Sequence, residues 1–271
     1  MLNHETISAG EHPPEKWLYV LHGIYGAGRN WASVIRRVVK ERPEWGAVLI
    51  DLRQHGGSQG FPPPHTVQAA AADLVELAEG TGRRPDAILG HSVGGKVALL
   101  FAGMEDEATS QLAQVWVVDS TPAVREPDGS AWKMLNIVRS LPDRFPTRDA
   151  LVDALVGHGM QKPVAQWMAT NLEAGDDGTY RWRFDLDALE ALLHSFFETD
   201  AWAVVEHPRD GLEVHLLKAE ESSVLAGESL ERAEAAATSG RTFVHRVSGG
   251  HWVNAENPGA VQDLLIRSLP R

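Results

Sequence analysis

The sequence predicts an α/β fold: a mostly parallel, twisted sheet flanked by helices, with a helical segment inserted into it. Two features point there. Short apolar runs alternate with amphipathic stretches over most of the 271 residues, the pattern of strands joined by crossover helices. The chemically capable residues follow those runs directly, at the strand ends where an open parallel sheet binds its ligand. A third feature marks the insertion, because nearly 80 residues from Pro122 to Asp200 break the alternation.

In chain order, the apolar runs predict strands at Trp17–Leu21, Ala47–Asp51, Asp86–Leu89, Gln114–Asp119, Leu212–Leu217 and Thr242–Val247, with a weaker one near Glu5–Ser8. Amphipathic spacing predicts helices at Asn30–Glu41, Thr66–Glu79, Gly95–Met104, Ala226–Thr238 and Pro258–Ser268. The middle segment holds helical stretches at Ala131–Arg139, Arg148–Val156, Val164–Asn171 and Leu186–Phe197, divided by a turn at Glu173–Gly178, with no convincing strand. It reads as a helical lid, or else as long crossover helices, although connections of that length are uncommon. The expected division is a core over 1–121, a lid over 122–200 and the rest of the core over 201–271.

Composition narrows the function. Hydrophobic residues make up 43% and charged residues 23% of the chain, enough apolar material for a sizeable core. Thirty-seven acidic against 25 basic residues leave a formal charge of -12, which repels phosphate backbones and argues against nucleic-acid partners. The absence of cysteine removes thiolate catalysis and Cys-ligated zinc. No apolar run approaches the ~18 residues of a membrane helix, and Met1–Pro14 shows no signal-peptide pattern. The expectation is a cytoplasmic protein without stable membrane insertion, acting on a small molecule as a monomer or small homo-oligomer.

The strongest local signal is Gly90-His91-Ser92-Val93-Gly94, followed by Gly95-Lys96. It fits G-x-S-x-G, and the flanking strand and helix supply the context that this motif requires. A tight strand-to-helix turn holds the serine in a strained conformation. Small neighbours at 90 and 94 avoid clashes, and the Val93 amide sits at a helix N-terminus facing the same space. Ser92 is therefore the candidate nucleophile. Leu21-His22-Gly23-Ile24-Tyr25-Gly26 follows the first long strand, and the Ile24 amide is the candidate second oxyanion donor beside Val93.

Twelve histidines offer a base. His251 stands out because it follows the last strand in Gly249-Gly250-His251-Trp252, ahead of the final helix. His22, His55 and His91 flank the site and are expected to support loops. No His/Asp/Glu cluster has metal-ligand spacing. Two positions compete for the acid. Asp119 ends the run Val115–Val118, whereas Glu220 and Glu221 follow the Val214–Leu217 strand. A carboxylate at either strand end could orient the histidine, and Asp119 is the favoured one.

The segments Leu21–Gly23, Asp51–Ser58, Gly90–Lys96, Val118–Pro122 and Gly250–Asn257 resemble the α/β-hydrolase superfamily in order and spacing. The Gly-His-Ser-x-Gly-Gly-Lys elbow and the Asp-x-x-Pro turn are similar to those of small esterases and acyl thioesterases. The resemblance implies an acid after the strand that follows the nucleophile helix, which supports Asp119. It also implies that the Asp51–Ser58 loop borders the active-site entrance. A serine at position 92 departs from the Asp nucleophile of the dehalogenases and epoxide hydrolases.

The expected chemistry is hydrolysis of an ester or thioester with a small or medium acyl group through an acyl-enzyme on Ser92, with no cofactor. His251 is the general base, Asp119 fixes its tautomer, and the Ile24 and Val93 amides hold the oxyanion. Tyr25, Arg53, His91, Trp132 and Trp252 are candidate pocket residues, with Ile24, Leu135, Trp167 and Phe196 shaping the acyl side. Arg53 or Arg125 would meet an anionic substrate tail such as that of an acyl-CoA. The alternatives are an acyltransferase or C–C bond lyase using the same triad, and a non-catalytic ligand-binding protein on this fold.

Overall fold

A computed structural model describes residues 1–10 and 12–271. The strands are β1 (His4–Ile7), β2 (Lys16–Leu21), β3 (Trp45–Ile50), β4 (Ala87–His91), β5 (Gln114–Val118), β6 (Arg144–Phe145), β7 (Leu172–Ala174), β8 (Tyr180–Trp182), β9 (Glu213–Ala219) and β10 (Thr242–Val247). The helices are α1 (Ala32–Glu41), α2 (Val67–Thr81), α3 (Val93–Ala102), α4 (Gly129–Ser140), α5 (Arg148–Gly157), α6 (Lys162–Ala169), α7 (Leu186–Glu198), α8 (Trp202–Glu206), α9 (Glu228–Ala236), α10 (Val253–Glu256) and α11 (Pro258–Ser268).

Seven strands form one sheet in the order β1-β3-β2-β4-β5-β9-β10. β1 runs antiparallel to β3, and the remaining pairs are parallel. The inner strands are apolar on both faces because helices cover both. Tyr19, Leu21, Val48, Ile50, Val115 and Val117 face one core, with α2 and α3. Their neighbours Leu18, Val20, Ala47, Leu49, Trp116 and Val118 face a second core, with α1 and α11. With both faces buried, the strands read as short continuous apolar runs, which is why they were legible in the sequence.

The chain leaves β2 for β3 on one side and then returns to β4 on the other side of β2. The strand order therefore reverses between β2 and β4, where Leu21 lies opposite Gly90. A crevice opens beyond the carboxyl ends of strands at such a switch point. His22–Gly26 and Ser92 emerge into it.

The segment between β5 and β9 departs from the sequence reading. Alongside its helices it carries a small three-stranded antiparallel sheet in the order β6-β8-β7. The Glu173–Gly178 stretch belongs to the hairpin joining β7 to β8, with Gly175 N–H donating to Thr179 O at 2.7 Å. Strands of two or three residues lie below the length at which alternation can be recognised. Their pairing, rather than their sequence pattern, defines them. Among the described residues, no helix is long and apolar enough to cross a membrane.

Candidate active site

Ser92 follows β4 with φ 52° and ψ −120°. A side chain in this region is strained, and surrounding contacts must hold it there. Two glycines make the turn possible. A Cβ on Gly90 would lie 2.0 Å from Gly94 O, and one on Gly94 would lie 2.5 Å from His22 O. The backbone can approach itself and the β2 loop this closely only without side chains at those positions. Ser92 N–H donates to Val118 O at 3.0 Å, which ties the turn to the end of β5.

Asp119 begins where β5 ends, also at positive φ (42°) and fully buried. Its amide donates to Leu217 O at 2.8 Å, and its Oδ1 accepts from Ala219 N–H at 3.2 Å. The carboxylate is thus clamped by the neighbouring strand β9. Its Oδ2 accepts from His251 Nδ1 at 2.7 Å. In a neutral imidazole this bond places the proton on Nδ1 and leaves the Nε2 lone pair free. His251 and Ser92 line one cavity. Among the described residues no hydrogen bond yet joins Ser92 Oγ to the His251 ring. Such contacts are often loose in unliganded enzymes and tighten with substrate. Glu220 and Glu221 are exposed, and only their amides engage this region, donating to Val247 O and Gly249 O. Of the candidate acids, the structure brings Asp119 to His251 and leaves both glutamates outside.

The Ile24 and Val93 amides have no protein acceptor among the described residues. Ile24 lies in a loop held from several sides. Tyr25, at φ 62°, donates its amide to His55 Nε2 at 3.2 Å, and its carbonyl accepts from Asn171 Nδ2 at 2.9 Å. His22 Nε2 accepts from Leu52 N–H at 3.0 Å while its Nδ1 donates to Gly23 O. His91 Nε2 donates to His251 O at 2.8 Å, and the two rings pack with centroids 4.7 Å apart. These three histidines hold loops, as expected. Burial pushes His55 and His91 down to about 3, reinforced in each case by a neighbouring histidine, and lowers His22 as well. They are therefore neutral at physiological pH.

The Ser92 cavity is lined by Tyr25, His91 and Trp252 of the expected set, together with Ile24. Trp132 is a correction. Its ring packs edge-on against His194 and Phe197 of α7, at 4.9 and 6.1 Å. Ser130, Ala131 and Met134 of the same helix line the cavity instead. The helical repeat puts residue 132 on a different face from 130, 131 and 134. Arg53 is the second correction. Its guanidinium is buried, paired with Asp73 at 2.7 and 2.8 Å, and also donates to Pro64 O. A cation already satisfied in this way is not presented to a substrate tail. No residue of Asp51–Ser58 lines the cavity. That loop backs the Ile24–Tyr25 turn through His55 rather than bordering an entrance. Arg125 lies off the cavity and pairs with Asp128. Leu135 and Phe196 are core.

Sequence reasoning passed over Lys96. It is fully buried, and its Nζ donates to Ala123 O (2.9 Å), Phe196 O (2.6 Å) and Thr199 O (2.8 Å). These three carbonyls lie at the two ends of the inserted segment, so Lys96 ties both roots to the helix that starts at Ser92. Burial pushes its pKa down to about 7, with Asp200 pulling the other way. The signal was present: Lys96 is the one charged residue in the apolar helix Val93–Ala102. Among the described residues, no group of three or more His, Asp or Glu converges as a metal site.

The model of the alpha/beta hydrolase family matches residues 18–264. The chain belongs to the α/β-hydrolase family. Among its relatives, the mouse sn-1-specific diacylglycerol lipase ABHD11 is 26% identical over 256 residues, covering 92% of this chain and 79% of that one. Esterase YbfF of Escherichia coli is 24% identical over 260 residues, covering 93% and 92% respectively. A solved marine microorganism esterase superposes with a TM-score of 0.82 at 22% identity over 99% of both chains. The expected fold and the expected esterase-type hydrolase class are met at the level of the family.

Proposed function

We propose that this protein is a serine esterase. His251 removes the proton from Ser92 Oγ, which attacks a carboxylic ester carbonyl. The oxyanion forms against the Ile24 and Val93 amides, where preorganised donors lower the barrier most. His251 then passes its proton to the leaving oxygen, and the alcohol departs. Water activated by His251 attacks the acyl-enzyme and frees Ser92. Asp119 holds the imidazole in the productive tautomer and stabilises its cation. Residues 122–200 act as a lid over the crevice, rooted by Lys96.

The observation that carries this reading is the 2.7 Å bond from His251 Nδ1 to buried Asp119, with the ring in the same cavity as a strained Ser92. The names of the esterase and lipase relatives support it. The open Ser92–His251 contact favours a second reading, a ligand-binding protein on this fold. One experiment separates them: wild type and Ser92→Ala are treated with a fluorophosphonate probe and a panel of activated short-chain esters. Labelling and turnover that vanish in Ser92→Ala are expected. A wild type that neither labels nor hydrolyses any ester would favour the binding protein.

A further inference from the structure

Space around Ser92 is unequally divided. On the α4 side, the cavity has a volume of only about 10 Å³, roughly the room for one water molecule. Tyr25, Ala131 and Met134 line it, and the Tyr25 hydroxyl closes it by donating to Ala131 O at 3.1 Å. On the other side a passage of about 30 Å³ runs past Ile24, His91 and Trp252. Next to it lies a trench of about 430 Å³ between α6 and α10. The three spaces adjoin one another: Trp252 is a wall of all of them, and Asn30, Trp167 and Asn254 are walls of both the second space and the trench. Trp167 and Trp252 pack with ring centroids 4.6 Å apart along this route.

The chemistry of the trench is mostly apolar. Pro163, Val164, Trp167, Trp252 and Ala255 make its walls, and no Lys or Arg is among its lining residues. Its one charged residue, Glu256, accepts the Gly250 amide at 2.6 Å. Asn254 lines both passage and trench, and its Oδ1 is buried without a hydrogen-bond partner among the described residues. The Asn254 Nδ2 contact to Asn30 O at 3.3 Å orients the amide so that Oδ1 faces away from that carbonyl. A buried acceptor of this kind is costly unless a ligand donor completes it.

We infer that the trench binds the alcohol portion of the substrate, and that this portion is neutral, elongated and largely apolar, while the acyl group is acetyl-sized. The inference rests on the esterase reading above. The orientation follows from the mechanism: the leaving oxygen takes its proton from His251, so the leaving group extends past Trp252 toward α10, whose Asn254 and Ala255 wall the trench. The acyl carbon then points toward the α4 niche. A trench without cations disfavours a polyanionic leaving group such as coenzyme A. The Asn254 acceptor suits an O–H or N–H carried on the alcohol.

The test compares alkyl acetates from ethyl to hexyl, ethyl esters from acetate to octanoate, and acetyl-CoA. It uses wild type, Val164→Trp to fill the trench and Trp167→Ala to remove a wall, with fluorophosphonate labelling as a parallel readout. In wild type, kcat/KM should rise about tenfold from ethyl to hexyl acetate, because each methylene seated in an apolar site adds transition-state binding. It should fall as the acyl chain lengthens, and acetyl-CoA should be the poorer acetyl donor. In both variants the hexyl-to-ethyl ratio should drop at least about fivefold. A labelled enzyme that prefers long acyl chains or acetyl-CoA, or whose ratio is unmoved in both variants, would overturn this assignment and leave the esterase reading standing. Absence of both labelling and turnover would overturn the two together.

Discussion

The sheet core and the segment inserted between β5 and β9 solve different problems. In the core, the proposed reacting groups sit one residue past a strand end or, for His251, four residues past. The register of parallel strands then sets their spacing: Ser92 after β4, Asp119 after β5, His251 after β10. In the inserted segment, Ser130, Ala131 and Met134, which meet the cavity, and Trp167, which meets the passage beside it, come from helix faces decided by how α4 and α6 dock. The lesson is a division of labour. On the proposed mechanism, strand ends hold the reacting groups, whereas docked helices set the shape beside them. Substitutions in the core should alter rates by orders of magnitude, and those in the insert should alter preference or stability.

The sharpest way to break this comparison is at the strand ends themselves. Ser92→Ala should lower kcat by at least about 10⁴-fold, and Asp119→Asn by about 10³- to 10⁴-fold, because the wrong tautomer would then face Ser92. The double variant Glu220→Gln, Glu221→Gln should stay within about twofold of wild type, since both side chains are exposed and away from His251. Steady-state kinetics on one activated ester checks all three. Equal losses at Asp119 and at the glutamates would erase the distinction between β5 and β9.

Two buried cations test what holds the core and the insert together. Arg53→Ala strands the Asp73 carboxylate and should cost about 3–5 kcal/mol in denaturant unfolding. It should leave any discrimination between neutral and anionic esters unchanged. Lys96→Met leaves three carbonyls without their donor and should cost about 2–3 kcal/mol. Because those carbonyls belong to the roots of the insert, KM should rise more than kcat falls. A loss confined to kcat would place the role of Lys96 at Ser92 instead.

Acid stability offers a finer probe. Burial holds His55 and His91 down to about 3 and His215 to about 4. A histidine with a depressed folded pKa contributes stability that is present above its unfolded value of about 6.5. As pH falls from there toward 4, the unfolded chain takes up protons that the folded chain refuses, and that stability is lost. The melting temperature should therefore fall steadily over this window, and the slope should be shallower in His215→Gln. The smallest effect expected is on substrate choice. Met134→Ala should widen the acyl niche and improve butyrate over acetate by about threefold, whereas Trp132→Ala should leave that ratio alone and lower stability by a packing loss. A reversal of those two outcomes would restore Trp132 to the pocket.

The positions of the core strands along the chain, the elbow at Ser92, the loop at Ile24 and the base candidate His251 were legible in the sequence. Each depends on local rules: continuous apolar runs for buried parallel strands, glycines where backbones touch, and a reactive residue just past a strand end. The acid was legible as a choice between two strand ends. Only the tertiary structure shows which carboxylate meets His251, because β5 and β9 are neighbours and the His251 loop closes over Asp119 rather than over the exposed turn beyond β9. The small β6-β8-β7 sheet, the turning of Trp132 away from the cavity, the capture of Arg53 by Asp73 and the three-way grip of Lys96 were settled by contacts between residues about 20 to 103 positions apart or by the docking of whole helices. Sequence periodicity tells which face of an element is buried. It does not tell what that face meets, and the shape of the pocket depends on that meeting.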